Sequence, residues 1–573
     1  MSVAKSLAAG RILEDQLFPY PNLRAQDRET LRMIVDSIDQ FLAPKQQDFK
    51  RWDREAAQPA EFIQGLRDLG LFGLIIPEEH GGLGLSNAGY ARVLSQTSSH
   101  DSSVSLTIGA HSSIGMKGIL LFGTAEQKAR YLPKLASGEM IAAFCLTESG
   151  AGSDAASIRT HAVKNADGSW LLNGEKIWIT NGGIADLYTV FARTSSAAGK
   201  ITAFVVEAAW PGVSHGHHED KMGIRASSTT TVSFADVRVP AGNVLDAEGK
   251  GFKVAMAILN NGRTGLGGGA VGGMKSLIAH AAQQAKTRKQ FDTPIAEFGL
   301  VREKISQMAL DCFAAESAVW MVAHFIDSGV EDYSVEAAMS KVFASEALQR
   351  SAYEALQIAA GSGFMRDYPY EQITRDCRIL TIFEGTNEVL RLYIALSGLK
   401  DLGKSFGELK AAMDDIFNNF IKGFGVLTEY AEKRLTQATG VGRDKILTPL
   451  PEALREAAGI YERYTVELAK ACDHLLRRYG KSVADRQHDL KRIADIGIDL
   501  FVGLCVLSRA ATLGKAPGES GAQAIGMARV FAQQAKRRMA NNVRRILRNE
   551  DEEMNRLAGF ILDSGSFPWD IVS

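Results

Sequence analysis

In Trp170-Leu171-Leu172-Asn173-Gly174-Glu175-Lys176-Ile177-Trp178, aromatic and aliphatic residues flank an Asn-Gly pair. That pattern is the strongest short-range signal for a β-hairpin. β-branched and aromatic runs follow at Leu187 to Ala192, Ile201 to Val206 and Thr229 to Phe234, each bounded by loops. Outward from this region the spacing becomes helical. Upstream, Asp27 to Phe49 carries Leu31, Ile34, Ile38 and Leu42 at steps of three and four. Leu69 to Leu85 is a connection punctuated by Pro77 and Gly81-Gly82, and helical pattern resumes through Tyr131. Downstream, Gly251 to Leu399 is helical, with long segments such as Ala270 to Ala285 and Val335 to Ala359. The order α, β, α excludes a doubly wound sheet, because strands and helices do not alternate.

With 573 residues the chain has room for several domains. The divisions fall at 1–143 (N-terminal helical), 144–248 (middle β), 249–400 (helical) and 401–573 (a further helical region). Gly403 to Pro451 is weakly patterned and holds Gly440, Gly442, Pro449 and Pro451. Beyond it Leu490, Ile493, Gly497, Leu500, Leu504 and Leu507 mark one face of a long helix. A formal net charge of −1 argues against a nucleic-acid binder. Cys145, Cys312, Cys377, Cys472 and Cys505 are scattered without a CxxC pair, as in a reducing compartment with neither disulfide framework nor zinc site. Met1 to Pro19 lacks a signal-peptide layout, and the apolar run Ile496 to Leu507 is too short to span a bilayer. The expectation is a soluble intracellular protein.

The chemistry concentrates in Thr381-Ile382-Phe383-Glu384-Gly385-Thr386-Asn387-Glu388. Thr386 and Asn387 are helix-capping types, and Val389, Leu390, Tyr393, Ile394 and Leu396 then recur at helical spacing. A carboxylate in apolar surroundings has a raised pKa, which suits a general base. A solvated Glu at an ordinary loop-to-helix junction fits these residues as well. Phe144 to Asp154 (FCLTESGAGSD) combines small residues with hydroxyls at the entry to the β region; it suits a flat ligand or a phosphate, or a plain Gly-rich loop. Trp178-Ile179-Thr180-Asn181 ends a strand with a large aromatic beside a hydroxyl. Gly265 to Ala270 mimics a dinucleotide fingerprint but lacks the preceding strand, so close helix packing explains it better. His215, His217 and His218 sit in a loop that reads as solvated rather than metal-binding. Arg537, Arg538, Arg544, Arg545 and Arg548 oppose Met539, Val543, Ile546 and Leu547 on a tail helix. That pattern fits a membrane-surface helix or a solvated face on a core-packed one.

Together these pieces resemble the acyl-CoA dehydrogenase family, and its very-long-chain branch in particular. Phe144 to Ser157 matches the family's first signature. Gln357 to Phe364, continuing to Arg375-Asp376, matches the second, with Ala360 where the family usually has glycine. Arg288-Lys289-Gln290-Phe291, Trp178-Ile179-Thr180 and Ile382 to Asn387 follow in the expected order. The branch rests on Ala110 to Gly115, on Leu259-Asn260-Asn261-Gly262-Arg263, and on the tail with Leu490 to Ala510. The implied architecture is mainly α with a central β domain: N-terminal helical domain, middle β-barrel or sheet domain, four-helix bundle, and an extra C-terminal helical domain.

The resemblance implies FAD. Phe144, Leu146, Thr147, Gly152 and Ser153 would line it, with Ser153 also near the substrate. Trp178, Ile179 and Thr180 would lie against the isoalloxazine ring. Arg288, Gln290, Phe291, Gln357 and Gly361 would bind its adenine and pyrophosphate portion across a homodimer, and Thr386, Asn387 and Glu388 would meet it at the helix start. Asn260, Asn261, Gly262 and Arg263, with Phe383, Glu384 and Gly385, would contact the acyl-CoA substrate. No metal is implied.

The implied reaction removes a proton from Cα and a hydride from Cβ, giving a trans-2-enoyl-CoA. Donors to the thioester carbonyl in the family are a flavin ribityl hydroxyl and the base's own N–H. The family places its base either at the position of Glu384 or immediately before Arg263; the latter here is Gly262, which leaves Glu384. Gly109-Ala110, small residues at the expected pocket floor, leave room for a long acyl group. Electron-transfer flavoprotein is the expected acceptor, and peripheral membrane contact through the tail the expected association. The expected compartment is a bacterial-type cytoplasm, or else the mitochondrion for a mature form. An acyl-CoA oxidase passing electrons to oxygen, or a flavin-retaining scaffold acting through the tail, are the rival readings.

Overall fold

A computed structural model describes residues 2–23, 25–194, 200–403, 447, 450–515 and 518–572. Among these, the middle region forms one eight-stranded sheet. Its strands are β1 (Ala142–Cys145), β2 (His161–Lys164), β3 (Trp170–Thr180), β4 (Leu187–Arg193), β5 (Ile201–Glu207), β6 (Val213–His215), β7 (Thr229–Val239) and β8 (Val244–Leu245). They lie in the order β6-β7-β3-β2-β4-β5-β8, with β1 parallel to β4.

The Asn-Gly hairpin does not form. Asn173 and Gly174 lie inside the continuous strand β3, at a bulge where the pairing with β7 shifts between Leu172 and Gly174. Gly174 has φ +143°, and a Cβ there would lie 2.5 Å from Thr160 Oγ1. Asn173 spends its side chain on Asp236 of β7, accepting from the Asp236 N–H at 2.8 Å and donating to Oδ1 at 3.0 Å. The turn into β3 comes earlier, at Asp167-Gly168, where Gly168 has φ +84°.

Helices flank the sheet region. Upstream lie α1 (Asn87–His100) and α2 (Ser102–Gly109), preceded by Ala25–Leu42 and Gln46–Glu55, which are separate helices because Pro44 opens a 3₁₀ turn between them. Downstream come α3 (Gly251–Thr287), α4 (Gly299–Asp327), α5 (Ser334–Ala359) and α6 (Asn387–Gly403). The glycines at 265–273 fall mid-way along α3, as close-packing residues. A methyl at Gly268 or Gly272 would overlap the carbonyl of Ala91 or Ser95 on α1. Overpacking against backbone is not relieved by a rotamer change. Gly268→Ala is therefore expected to destabilise the protein by about 2 kcal/mol, read as a lower urea midpoint at unchanged slope.

The C-terminal region contributes α7 (Arg455–Tyr479), α8 (Gln487–Leu513), α9 (Glu519–Leu547) and α10 (Asp551–Ser564). Their apolar side chains merge with those of α3 to α6 in one core: Leu390, Tyr393 and Ile394 share a cluster with Ile493, Ile496 and Leu500. The first 20 residues, grouped above with the N-terminal helices, pack there too, through Val3, Leu7, Leu17 and Tyr20. Among the described residues α4 and α8 are long and apolar enough to cross a membrane, α8 extending well beyond the run Ile496 to Leu507 that Asp499 interrupts. Within the most apolar part of α8, 83% of the residues are buried in the fold. Arg538 pairs with the buried Asp499 at 2.6 Å while its own side chain stays 44% exposed, so one residue of the basic face is tied back to the core. His215, His217 and His218 are all exposed, but His215 ends strand β6 and only His217 and His218 lie in the loop, His218 bonding the Arg225 carbonyl. The weakly patterned Gly403 to Pro451 stretch lies almost wholly outside the described residues.

Candidate active site

A cavity of about 250 Å³ opens where α1 and α2, the sheet and the α3–α6 bundle meet. Its sheet-side wall is Phe144, Leu146, Thr147, Gly152, Ser153, Trp178, Ile179 and Thr180. One buried pair shapes that wall: Glu148 accepts from Lys176 Nζ at 2.6 Å and from the Thr160 N–H at 3.0 Å. Lys176 also holds the Leu146 carbonyl, and the Ile177 N–H bonds Thr147 O. The two expected segments are thereby locked side by side.

The opposite wall carries Gly262, Arg263, Phe383, Glu384 and Gly385. Among the described residues Glu384 is the only carboxylate lining this cavity. Glu384 and Gly385 have φ of 54° and 94°; the first is strained for any residue with a side chain. Glu384 Oε2 is enclosed without a hydrogen-bond partner. Burial pushes its pKa up, while the charges of Arg263 and Lys341 pull it back. No acceptor among the described residues takes the Glu384 N–H. A Cβ at Gly262 would lie 3.7 Å from Glu384 Oε1, so the two alternative base positions converge on one point in space. Arg263 is 4% exposed, donates to Asn260 Oδ1 at 2.6 Å, and leaves Nε unpartnered.

Thr386 caps α6 through its hydroxyl, which accepts from the Val389 N–H at 3.3 Å. Asn387 is buried and faces Lys341, a residue that motif reading missed. Lys341 Nζ donates to Gly385 O and to Asn387 Oδ1, both at 2.9 Å, and burial pushes its pKa down to about 7. Its trace in the sequence was a lone charge in an apolar helical run, Met339 to Ala344.

The cavity extends past Glu384, between Leu94, Ser98, Ser105 and Gly109 on one side and Gly265, Leu266 and Gly269 on the other. Ala110, Ser113 and Ile114 also line it, from a single π-helical segment, Ala110–Gly115. Such segments recur at functional sites. His111, on the same segment, is fully buried, accepts from the Ala142 N–H at 3.0 Å, and is held neutral by burial, its pKa near 4.

Asn260, Asn261, Arg288, Gln290, Phe291, Gln357, Gly361, Thr386, Asn387 and Glu388 do not line the cavity. Arg288, Gln290, Phe291, Gln357 and Gly361 are all exposed, Phe291 to 90%. Glu388 is exposed as well, and Asn261 is buried in α3. Ala360 has φ 53° and ψ −130°, a conformation that glycine adopts freely and alanine does not. The departure from the family's glycine thus acts through backbone strain. Ala360→Gly is expected to stabilise the protein by about 1 kcal/mol, seen as a higher thermal midpoint.

The residues fit a flavin. The Trp178 side chain stands 65% exposed beside Thr180. A Cβ built on Gly152 meets nothing within 4 Å, leaving its backbone open to a ligand. The unpartnered Glu384 Oε2 and Arg263 Nε mark polar positions that a bound molecule would satisfy.

Comparisons with known proteins point the same way. The acyl-CoA dehydrogenase N-terminal, middle and C-terminal domain families match residues 28–139, 143–237 and 249–399, and the ACAD9/ACADV C-terminal domain family matches 452–566. The human mitochondrial very long-chain specific acyl-CoA dehydrogenase is 45% identical over 520 residues, covering 89% of this chain and 78% of that one. A Bacillus anthracis acyl-CoA dehydrogenase complexed with FAD superposes with TM-score 0.80 at 32% identity, covering 99% of this chain and 96% of that one. Butyryl-CoA dehydrogenase from Megasphaera elsdenii has TM-score 0.62 at 38% identity, covering 65% of this chain and 97% of that one.

Proposed function

Because the chain belongs to the acyl-CoA dehydrogenase family, whose members are FAD-dependent oxidoreductases, we propose that it desaturates long-chain acyl-CoA at Cα–Cβ with Glu384 as the base. The observation that carries this reading is that Glu384 is the single carboxylate among the described residues on the cavity wall, with Gly262 beside it. Phe144 to Ser153 and Trp178 to Thr180 would hold FAD, which would supply the acceptor for the hydride lost from Cβ. Glu384 takes the Cα proton on its unpartnered Oε2. Its raised pKa narrows the gap to a weakly acidic thioester, and a bound acyl chain that excludes water widens the effect. In this reading the Glu384 N–H, which meets no acceptor among the described residues, receives the carbonyl oxygen, where negative charge develops. Arg263 favours the ionised form of Glu384, which the base needs before each turnover.

The exposed Arg288, Gln290, Phe291, Gln357 and Gly361 support a homodimer in which they serve the other copy's cofactor. Electron-transfer flavoprotein is the acceptor in this reading, and the tail a membrane contact. Anaerobic titration of the yellow protein with acyl-CoAs of graded length tests the whole. Bleaching with long chains is expected; no bleaching with any acyl-CoA sinks the proposal. Peroxide formed under air in place of electron transfer would make the protein an oxidase.

A further inference from the structure

The Glu384–Gly385 turn holds two consecutive positive φ angles, and such strain persists only where the surroundings over-determine it. Following its supports outward gives an unbroken chain of polar contacts. Lys341 grips Gly385 O and Asn387 Oδ1. Asn387 Nδ2 donates to Glu346 Oε1 at 3.1 Å. Both Glu346 oxygens receive the Arg391 fork, at 2.7 and 3.0 Å. The remaining Arg391 Nε donates to Asp495 Oδ1 at 2.7 Å, and Lys491 holds the other Asp495 oxygen at 2.8 Å.

Asp495 lies on α8, in the C-terminal region beyond the three-domain core, whereas Arg391 lies near the start of α6, just after the Glu384–Gly385 turn. The Megasphaera relative covers 65% of this chain and is itself covered to 97%. Arg391 is 13% and Asp495 18% exposed in their side chains, so the contact is screened less than a surface pair would be. α6 and α8 also share one apolar core, which keeps the two ends of the pair in register.

We propose that Asp495 is a positioning residue for the dehydrogenation, acting through Arg391, Glu346 and Asn387 to fix the Glu384–Gly385 turn. The inference rests on Glu384 being the base. The C-terminal region thereby belongs to the catalytic architecture, since the aim of the base is set from outside the core. Removing the Asp495 carboxylate frees Arg391 Nε and lets the Glu346–Asn387 contacts slacken. Loss of aim at a reacting carbon lowers the rate of the chemical step without changing how the acyl-CoA is held elsewhere.

The test compares full-length D495A, D495N and D495E with the wild type, E384Q and D551A. Asp551 pairs with Arg492 inside the C-terminal region at 2.6 Å, so D551A loosens that region without touching the chain of contacts. The readout is the limiting rate of anaerobic bleaching per bound flavin, with the acyl-CoA concentration giving half that rate. D495A and D495N are expected to slow the limiting rate about tenfold at unchanged half-saturation. D495E should recover it to within about twofold, and D551A should lower the thermal midpoint alone. If D495A fails to fold, D495N, which keeps the volume, decides. A D495N rate within twofold of wild type, or an equal fall in D551A, overturns the proposal while E384Q still fails to bleach. Bleaching that survives in E384Q overturns the base assignment and this inference together.

Discussion

Glu384→Gln is expected to keep its flavin and lose bleaching by acyl-CoA by a factor on the order of 10³, the scale of a positioned general base. The amide keeps the size and the strained turn of Glu384, so the loss isolates proton abstraction. The same variant should be more stable than the wild type at neutral pH. Burial raises the Glu384 pKa, so ionising this carboxyl costs stability in the folded state. Below the unfolded value both states carry the proton and the two proteins should unfold alike. Between the unfolded and the folded value only the unfolded state ionises, so the gap in thermal midpoint opens there in favour of Glu384→Gln and levels off above the folded value. The wild-type bleaching rate should climb as pH passes the folded value, where that gap levels off, because only the ionised carboxylate accepts the α-proton. A midpoint gap that fails to open at any pH above the unfolded carboxylate value would show that the enclosed carboxyl is not titrating as described.

How much of this site the sequence disclosed depended on whether the deciding contacts are local. The start of α6 was legible, because Thr386 and the apolar periodicity after it suffice to specify a capped helix. The segments Phe144 to Ser153 and Trp178 to Thr180 were legible as motifs, and the structure brings both to one wall. Asn173-Gly174 was not, because a hairpin turn and a bulge look alike over two residues. Here Thr160 and Asp236, both distant in sequence, settle the matter. Lys341 escaped for the same reason. Its partners lie 44 and 46 residues away, and only folding turns a stray charge in an apolar run into the support of the base. The far end of the cavity has no motif at all, since Leu94, Ser98 and Ser105 are ordinary residues of α1 and α2 that happen to face α3.

That far end sets the chain-length reading, and Gly269→Leu is the variant expected to shift it most. Gly262, Gly265, Leu266 and Gly269 recur at helical spacing along α3 and form one wall of the cavity from the base outward. Seven residues separate Gly262 from Gly269, which places Gly269 about 10 Å beyond the base at 1.5 Å per residue. A Cβ at Gly269 meets only Ser105 Oγ at 3.7 Å and the Ser98 side chain at 3.8 and 3.9 Å, ordinary contact distances, so the helix tolerates the change. The rest of the leucine side chain then projects into the space an acyl chain would use. Displacing roughly four methylenes, at about 0.8 kcal/mol each, removes about 3 kcal/mol of binding. Turnover of long-chain acyl-CoA at low concentration should fall about 100-fold. Acyl groups too short to reach Gly269 should keep their rates, and the optimum in a graded series should move to shorter chains. Equal losses at every length would mean that leucine disturbs the base rather than the tunnel. Unchanged long-chain turnover would mean that the acyl group leaves the base by another route, and the small residues along α3 would then serve only its packing against α1.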